Sequence, residues 1–477
     1  MRICLIAEGS YPYITGGVSS WVQMLLTNLS EYEFIICTIG AHQVYRGRYS
    51  YPIPKNVVEV KEILIDEAVA PKVRWGRRTG LQPTERKVLT RHLLGDDIDW
   101  VSLFACFRRC GARTAQEFVA SRDFFDVVID AYEMQYSHLP FVDFYWNLRS
   151  MVSPLYHVVR SRVPEAELYH SVSAGYAGVL GSLGKSLRQK PFVVTEHGIY
   201  TREREEEIIK SEWIKGCFKD LWMQHFYSLS RCAYTQADRV ITLFDRNRGI
   251  QIELGCQPDK IDIIPNGVRA ERFLNLPTKD DADDYTNVGA VVRVVPIKDI
   301  KTMLEAFAMT KREFPRVRFF IMGPLDEDAD YVRECRLLAE KLSLSEVTFT
   351  GKVDIGEYIG KMDILVLTSI SEGQPLAVLE GMASGKPFVA TDVGSCQELL
   401  CGNGDGYGDA GITLPVMDAE RLSKAIVMLC NHKEMREQMG RNGRARVMDL
   451  YSEERMIASY RSLYAKLGSQ GYGRNRV

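Results

Sequence analysis

The sequence predicts two α/β domains of similar size, each built on a parallel sheet, and three observations lead there. The chain has 477 residues, too many for one ordinary hydrophobic core. Apolar runs of strand length alternate with helical patterns from one end to the other, the pattern of βαβ units. A turn at Pro265-Asn266-Gly267 and a polar acidic stretch at 278–284 separate two such series, so the linker is placed there, between domains 1–268 and 269–450.

Taken in order, residues 2–7 read as a short buried strand, followed by a Gly-containing loop and a helix over 18–29. Strands follow at 34–39 and 57–65. From about 84 to 162 the rhythm breaks into helical periodicity rich in aromatics, with few strand signals, and this stretch reads as a helical insertion. Strands resume at 168–172, 192–195 and 240–243, each followed by a helical stretch. The second domain repeats the pattern: strands at 287–292, 317–322, 347–350 and 364–368, with helices at 300–313 and 329–342. Gly402-Asn403-Gly404-Asp405-Gly406-Tyr407-Gly408 lacks the distal Glu of a calcium loop and reads as a flexible surface turn. Three amphipathic helices, 418–429, 433–449 and 452–467, close the chain.

Composition bounds the class. A hydrophobic fraction of 46% and a charged fraction of 26% suit a soluble globular protein. A net charge of −2 gives no global attraction to nucleic acid or anionic lipid. The first apolar run meets Glu8 at once, too short for a signal segment, and no run approaches a membrane span. Eleven cysteines without a C-x-x-C pair read as reduced thiols of a cytoplasmic protein, with Cys106 and Cys110 in the core rather than on a metal. Lys72, Arg74, Arg77 and Arg78 form a small basic run read as solvated. No G-x-G-x-x-G follows the first strand, which argues against a dinucleotide-dependent enzyme.

The chemistry concentrates in Glu372-Gly373-Gln374-Pro375-Leu376-Ala377-Val378-Leu379-Glu380, where two carboxylates bracket a strand-to-helix turn. Pro375 suits the first helical position, where a missing N–H costs nothing. The free N–H groups of that first turn can hold phosphate. Glu380, one turn beyond Leu376, can accept from a ligand hydroxyl, and Glu372 lies at the carboxyl end of the strand, where open α/β sheets bind ligands. This combination suits a phosphorylated, hydroxyl-rich molecule such as a nucleotide sugar. A bare E-x7-E more often joins a capping acid to a solvated one, so the surrounding sequence decides.

That surrounding sequence resembles the GT4-type retaining glycosyltransferases of GT-B fold. Val288-Gly289-Ala290-Val291-Val292-Arg293-Val294-Val295-Pro296-Ile297-Lys298 is similar to their strand–turn with an R-x4-K pair. Asp262-Ile263-Ile264-Pro265-Asn266-Gly267-Val268 resembles their linker, and Gly385-Lys386-Pro387-Phe388-Val389-Ala390-Thr391 their following strand. Ala7-Glu8-Gly9-Ser10-Tyr11-Pro12-Tyr13, Gly16-Gly17-Val18-Ser19-Ser20-Trp21 and Thr195-Glu196-His197-Gly198 narrow the resemblance to the PelF-type members, which serve bacterial Pel exopolysaccharide synthesis.

The resemblance implies two Rossmann-like domains facing a cleft and a last helix, within 451–477, that crosses back onto the first domain. It implies that Arg293 and Lys298 clamp the donor's diphosphate, assisted by the backbone of Gly373, Leu376 and Ala377. Arg would bind through paired donors and Lys as a point charge. It also implies that Glu380 holds the ribose, that the base lies near Val353, and that Glu372 and His197 face the donor sugar. Gly16 and Gly17 would contact the donor where the first strand turns into the first helix. His170, also ending a strand, is a second histidine candidate. Whether Glu372 acts as nucleophile or as stabiliser stays open.

The expected function is transfer of a sugar, glucose from UDP-glucose, to a glycan acceptor in exopolysaccharide assembly by an inner-membrane synthase complex. No cofactor beyond the UDP-sugar and no metal is expected, since Asp281-Ala282-Asp283 has D-x-D spacing but lies in the acidic linker. The rivals are another GT4 transferase making a glycolipid or glucan, and a non-catalytic scaffold subunit.

Overall fold

The computed structural model describes residues 1–40, 46–65, 73–280 and 282–473. Lys72 of the basic run and Asp281 of the D-x-D triplet lie outside them. The chain divides into two compact units, one comprising Met1–Thr242, Asn247–Ile263 and Tyr460–Val477, the other Leu243–Arg246 and Ile264–Ser459.

In the first unit, β1 (Arg2–Glu8), α1 (Gly17–Asn28), β2 (Glu33–Gly40) and β3 (Val57–Leu64) precede a helical block. The block holds α2 (Pro83–Leu93), α3 (Trp100–Arg109), α4 (Ala115–Val119), α5 (Arg122–Ala131) and α6 (Phe141–Arg160). Then follow β4 (Leu168–Ser171), α7 (Tyr176–Arg188), β5 (Phe192–Glu196), α8 (Tyr200–Lys210), α9 (Lys219–Gln236), β6 (Arg239–Thr242), α10 (Asp245–Glu253) and β7 (Ile261–Ile263). All seven strands pair in parallel in the order β3-β2-β1-β4-β5-β6-β7. The inner strands β1, β2 and β5 are near-continuous buried apolar runs, as strands covered on both faces are.

The helical block is held by its aromatics. Phe118 and Tyr156 stack with ring centroids 4.6 Å apart, and Phe107 meets both rings. Replacing such a buried phenylalanine by alanine costs about 3–5 kcal/mol. Asp99, Thr114 and Ser121 begin three of the helices by accepting from backbone N–H groups of the first turn, the usual use of these short acceptors. Cys106 and Cys110 are buried free thiols, and Cys110 Sγ lies 3.1 Å from the Tyr156 hydroxyl. Arg78, an exposed cation as expected, also bridges two acids of the block, its guanidinium 2.8 Å from Asp123 and 3.0 Å from Asp126.

The second unit runs β8 (Thr286–Val291), α11 (Ile300–Glu313), β9 (Val317–Met322), α12 (Ala329–Lys341), β10 (Val347–Gly351), α13 (Ile355–Ile359) and β11 (Ile364–Leu367). It continues through α14 (Leu376–Ala383), β12 (Phe388–Thr391), α15 (Cys396–Cys401), β13 (Gly411–Leu414), α16 (Ala419–Asn431), α17 (Lys433–Leu450) and the start of α18 (Glu453–Gly473), whose part from Tyr460 onward belongs to the first unit. Six parallel strands pair in the order β10-β9-β8-β11-β12-β13.

Three sequence readings need correction. β7 is a seventh strand where the sequence suggests only linker, because it is three residues long and shows Asp262 and Ile263 to solvent. Helix α14 begins at Leu376, with Pro375 as the residue before it rather than the first helical one. The glycine-rich turn at 402–408 is anchored: Asp405 accepts at 2.6 Å from Arg446, a fully buried side chain of α17.

Candidate functional site

Each sheet reverses its strand order once, between β1 and β4 in the first unit and between β8 and β11 in the second. In open parallel sheets the crevice outside the carboxyl ends of such strands is where ligands bind.

In the second unit, β11 runs fully buried and delivers the chain to Thr368 and Ser369. The Thr368 hydroxyl donates to the carbonyls of Lys298 (2.8 Å) and Asp299 (3.1 Å), and the Ile370 N–H to that of Ile297 (2.9 Å). The segment after β11 thereby grips the Pro296–Lys298 turn after β8 and brings Lys298 to Glu372. Their ammonium and carboxylate hydrogen-bond, and both side chains are largely buried, 15% and 13% exposed. Ser369 Oγ donates to the same Glu372 oxygen at 2.6 Å. Removing one member would leave the other's charge poorly compensated in a partly dry site.

The turn carrying Glu372 is braced from behind. Gly394 adopts φ +55°, and a Cβ there would lie 2.0 Å from the Gly373 carbonyl oxygen and 2.6 Å from that of Glu372. Only glycine allows this approach. Ser395 N–H donates to the Gly373 carbonyl at 3.0 Å. Gln374 turns inward to accept from the Asn266 N–H at 2.6 Å. The N–H groups of Leu376 and Ala377, the first of α14, have no hydrogen-bond partner among the described residues. They and the positive end of the helix offer an anion its position.

Glu380 and Val353 line one cavity of about 420 Å³ with Arg272, Phe273, Leu276 and Pro277. Burial pushes the Glu380 carboxyl up to about 7, with the Arg272 guanidinium opposing the shift. The Arg293 guanidinium is half exposed and bonds Glu327 at 2.6 Å, so in this structure its partner is a carboxylate.

In the first unit, Gly16 caps α1 and Gly17 opens it, both exposed. Gly16 is extended (φ 174°) and Gly17 is outside the left-handed region, and a Cβ on either would meet nothing within 4 Å, so the protein's own packing does not require glycine there. His197 follows β5 with its ring 4.6 Å, centroid to centroid, from that of Trp21 of α1. Its Nε2 and the Trp21 Nε1 are buried without a hydrogen-bond partner. Burial pushes the imidazole down to about 4, so it is neutral near pH 7. His170 differs: Nδ1 lies 2.6 Å from the Tyr464 hydroxyl and Nε2 2.8 Å from that of Thr195, so both nitrogens serve the fold.

Sequence reasoning missed Ser369, Arg272, Gln374 and Gly394. Only the last had a usable signal, a glycine just after the strand that follows the E-x7-E segment.

Solved structures share this architecture. The chain covers 98% of itself and 99% of sucrose-phosphate synthase from Thermosynechococcus elongatus, at TM-score 0.59 and 19% identity. Anabaena HepE, solved with UDP, is matched over 98% of this chain and 100% of its own, at TM-score 0.61 and 16% identity, and was also solved with UDP-glucose. Both are GT-B-type structures, and the likeness defines the fold class. The chain belongs to the family described as Domain of unknown function (DUF3492), matched over residues 1–259, and residues 277–446 match Glycosyl transferases group 1. The UDP-Gal:alpha-D-GlcNAc-diphosphoundecaprenol alpha-1,3-galactosyltransferase of Escherichia coli is 26% identical over 335 residues, 67% of this chain and 79% of that enzyme. The chain is thus a glycosyltransferase of GT-B type.

Proposed function

We propose that the protein is a retaining hexosyltransferase that takes glucose from UDP-glucose and serves exopolysaccharide assembly of the Pel type at the inner-membrane surface. One observation carries the donor reading: the second unit sets a partly buried Lys298–Glu372 pair, two unpartnered N–H groups at the start of α14, and a cavity holding Glu380 around one strand-order reversal. These are the groups a nucleoside diphosphate sugar requires.

In this reading the diphosphate lies on the N–H groups of Leu376 and Ala377, beside Gly373, with Lys298 supplying positive charge. Arg293 joins by releasing Glu327. Glu380 accepts from the ribose hydroxyls, and the base lies along Val353. Glu372, held by Lys298 and Ser369, faces the sugar, and Gly16, Gly17 and neutral His197 are assigned to the same donor. The acceptor oxygen forms its bond to the anomeric carbon as the bond from that carbon to the phosphate oxygen breaks. The acceptor proton passes to the leaving diphosphate, and no metal is needed. The choice of UDP-glucose is supported by HepE, solved with that donor, and by the galactosyltransferase, whose name states a UDP-sugar. The Pel assignment rests on the sequence resemblance.

The test is turnover of a panel of nucleotide sugars followed by NMR of the anomeric configuration. UDP-glucose should be consumed fastest, with release of α-configured product. Inversion at that carbon, or faster consumption of a GDP- or ADP-sugar, contradicts the proposal.

A further inference from the structure

We propose that the first unit carries a second anion site, a surface cavity of about 370 Å³ lined by Arg108, Arg160, Arg162 and Arg188, and that its ligand bears phosphate. The cavity is distinct from the candidate donor groups. Arg160 ends α6 and Arg162 follows it, just ahead of β4, while Arg188 ends α7, just ahead of β5. It therefore sits at the amino ends of those parallel strands, whereas Gly16, Gly17 and His197 lie beyond the carboxyl ends of β1 and β5.

No Asp or Glu lines the cavity, in a chain whose net charge is −2. The bland account is that arginine near a helix C-terminus neutralises its dipole and caps its carbonyls. That account covers two of the four: Arg108 donates to the Val159 carbonyl at 3.2 Å, and Arg160 to the Arg108 carbonyl at 2.6 Å. It leaves Arg162, whose side chain has no hydrogen-bond or ion-pair partner among the described residues. It leaves Arg188 with only the exposed carboxylate of Glu165, at 3.0 Å. The three helix ends α3, α6 and α7 contribute roughly −0.5 each and the Glu165 carboxylate a full negative charge against four full positive charges, so the concavity keeps a net positive charge. The Lys61 ammonium bonds the Arg162 carbonyl, a further cation next to that residue.

Four arginines lining one space carry more guanidinium donors than a single carboxylate can accept, and suit a tetrahedral group with three or more terminal oxygens. The volume suits a small ligand or headgroup. A soluble phosphorylated compound and the headgroup of an anionic lipid share this chemistry.

Two probes separate the sources: calorimetry with inorganic pyrophosphate, and cosedimentation with vesicles of phosphatidylglycerol and phosphatidylcholine against phosphatidylcholine alone. The parent should bind at least one anionic probe, and Arg162→Gln/Arg188→Gln should bind it at least tenfold more weakly while unfolding at the same temperature. Pyrophosphate binding identifies a soluble ligand, and binding only to anionic vesicles identifies a headgroup. Any binding in the second unit is common to both proteins and cancels, so the test stands whether or not the donor reading does. Binding of neither probe, or equal binding by parent and variant, overturns the proposal.

Discussion

Two histidines end adjacent strands of the first sheet, and their ring nitrogens separate them. His170 has both engaged by hydroxyls, whereas His197 keeps a buried Nε2 without a partner. His170→Ala should lower stability by about 1–3 kcal/mol, through the buried groups it leaves unpaired. His197→Ala and Glu372→Ala should leave UDP affinity nearly intact while turnover falls at least tenfold, about 1.4 kcal/mol of transition-state stabilisation. Thermal melts, UDP calorimetry and turnover on the same preparations distinguish these outcomes, and a fully active His197→Ala variant would make that residue structural. Glu380 gives a pH signature. Burial raises its carboxyl from 4.5 to about 7, so the folded state holds a proton that the unfolded state loses earlier. The stability it contributes is fully present below about 4.5 and is lost as pH rises through about 7. Relative to Glu380→Gln, the parent should therefore lose melting temperature across that window. The ionised carboxylate accepts from ribose hydroxyls more strongly than the neutral acid, so UDP-glucose affinity should rise with pH through the same range in the parent and stay flat in the variant.

The element that organises the candidate site is the turn from β11 into α14, and its support comes from a loop after β12. Gly394→Ala should displace the Glu372–Gly373 carbonyls, lower the melting temperature and weaken UDP binding at least severalfold, and calorimetry with a thermal melt checks both. Unchanged binding would mean that the turn tolerates the displacement. The strands and helices of this unit were legible because alternation and helical periodicity are local, and the E-x7-E spacing placed Glu372 and Glu380 on either side of the turn. Partners distant in sequence were not legible. The pairing of Arg293 with Glu327 and that of Arg446 with Asp405 left no mark in the sequence pattern. Pairings of this kind depend on how loops fold over the strand ends, which periodicity does not record. β7 escaped notice for a different reason: a three-residue edge strand has too few positions for any pattern.

At the scale of the whole molecule, the chain combines two parallel sheets, a net charge of −2 and no helix, among the described residues, long and apolar enough to cross a membrane. Binding of a dianionic donor must then rest on local cations and helix ends rather than on a global field. With lysine and backbone donors in place of a metal, turnover should survive EDTA, and loss of activity rescued by magnesium or manganese would refute that. The account's central claim is that the strand-order reversal of the second sheet is a nucleoside diphosphate site. Titrating UDP, ADP and GDP into the parent, Lys298→Ala and Glu380→Ala tests it most directly. The account predicts that UDP binds tightest and that Lys298→Ala weakens it by about 1.5–3 kcal/mol, the worth of a charged hydrogen bond, with a loss also for Glu380→Ala. Tighter binding of ADP or GDP, or parental UDP affinity in both variants, would contradict it.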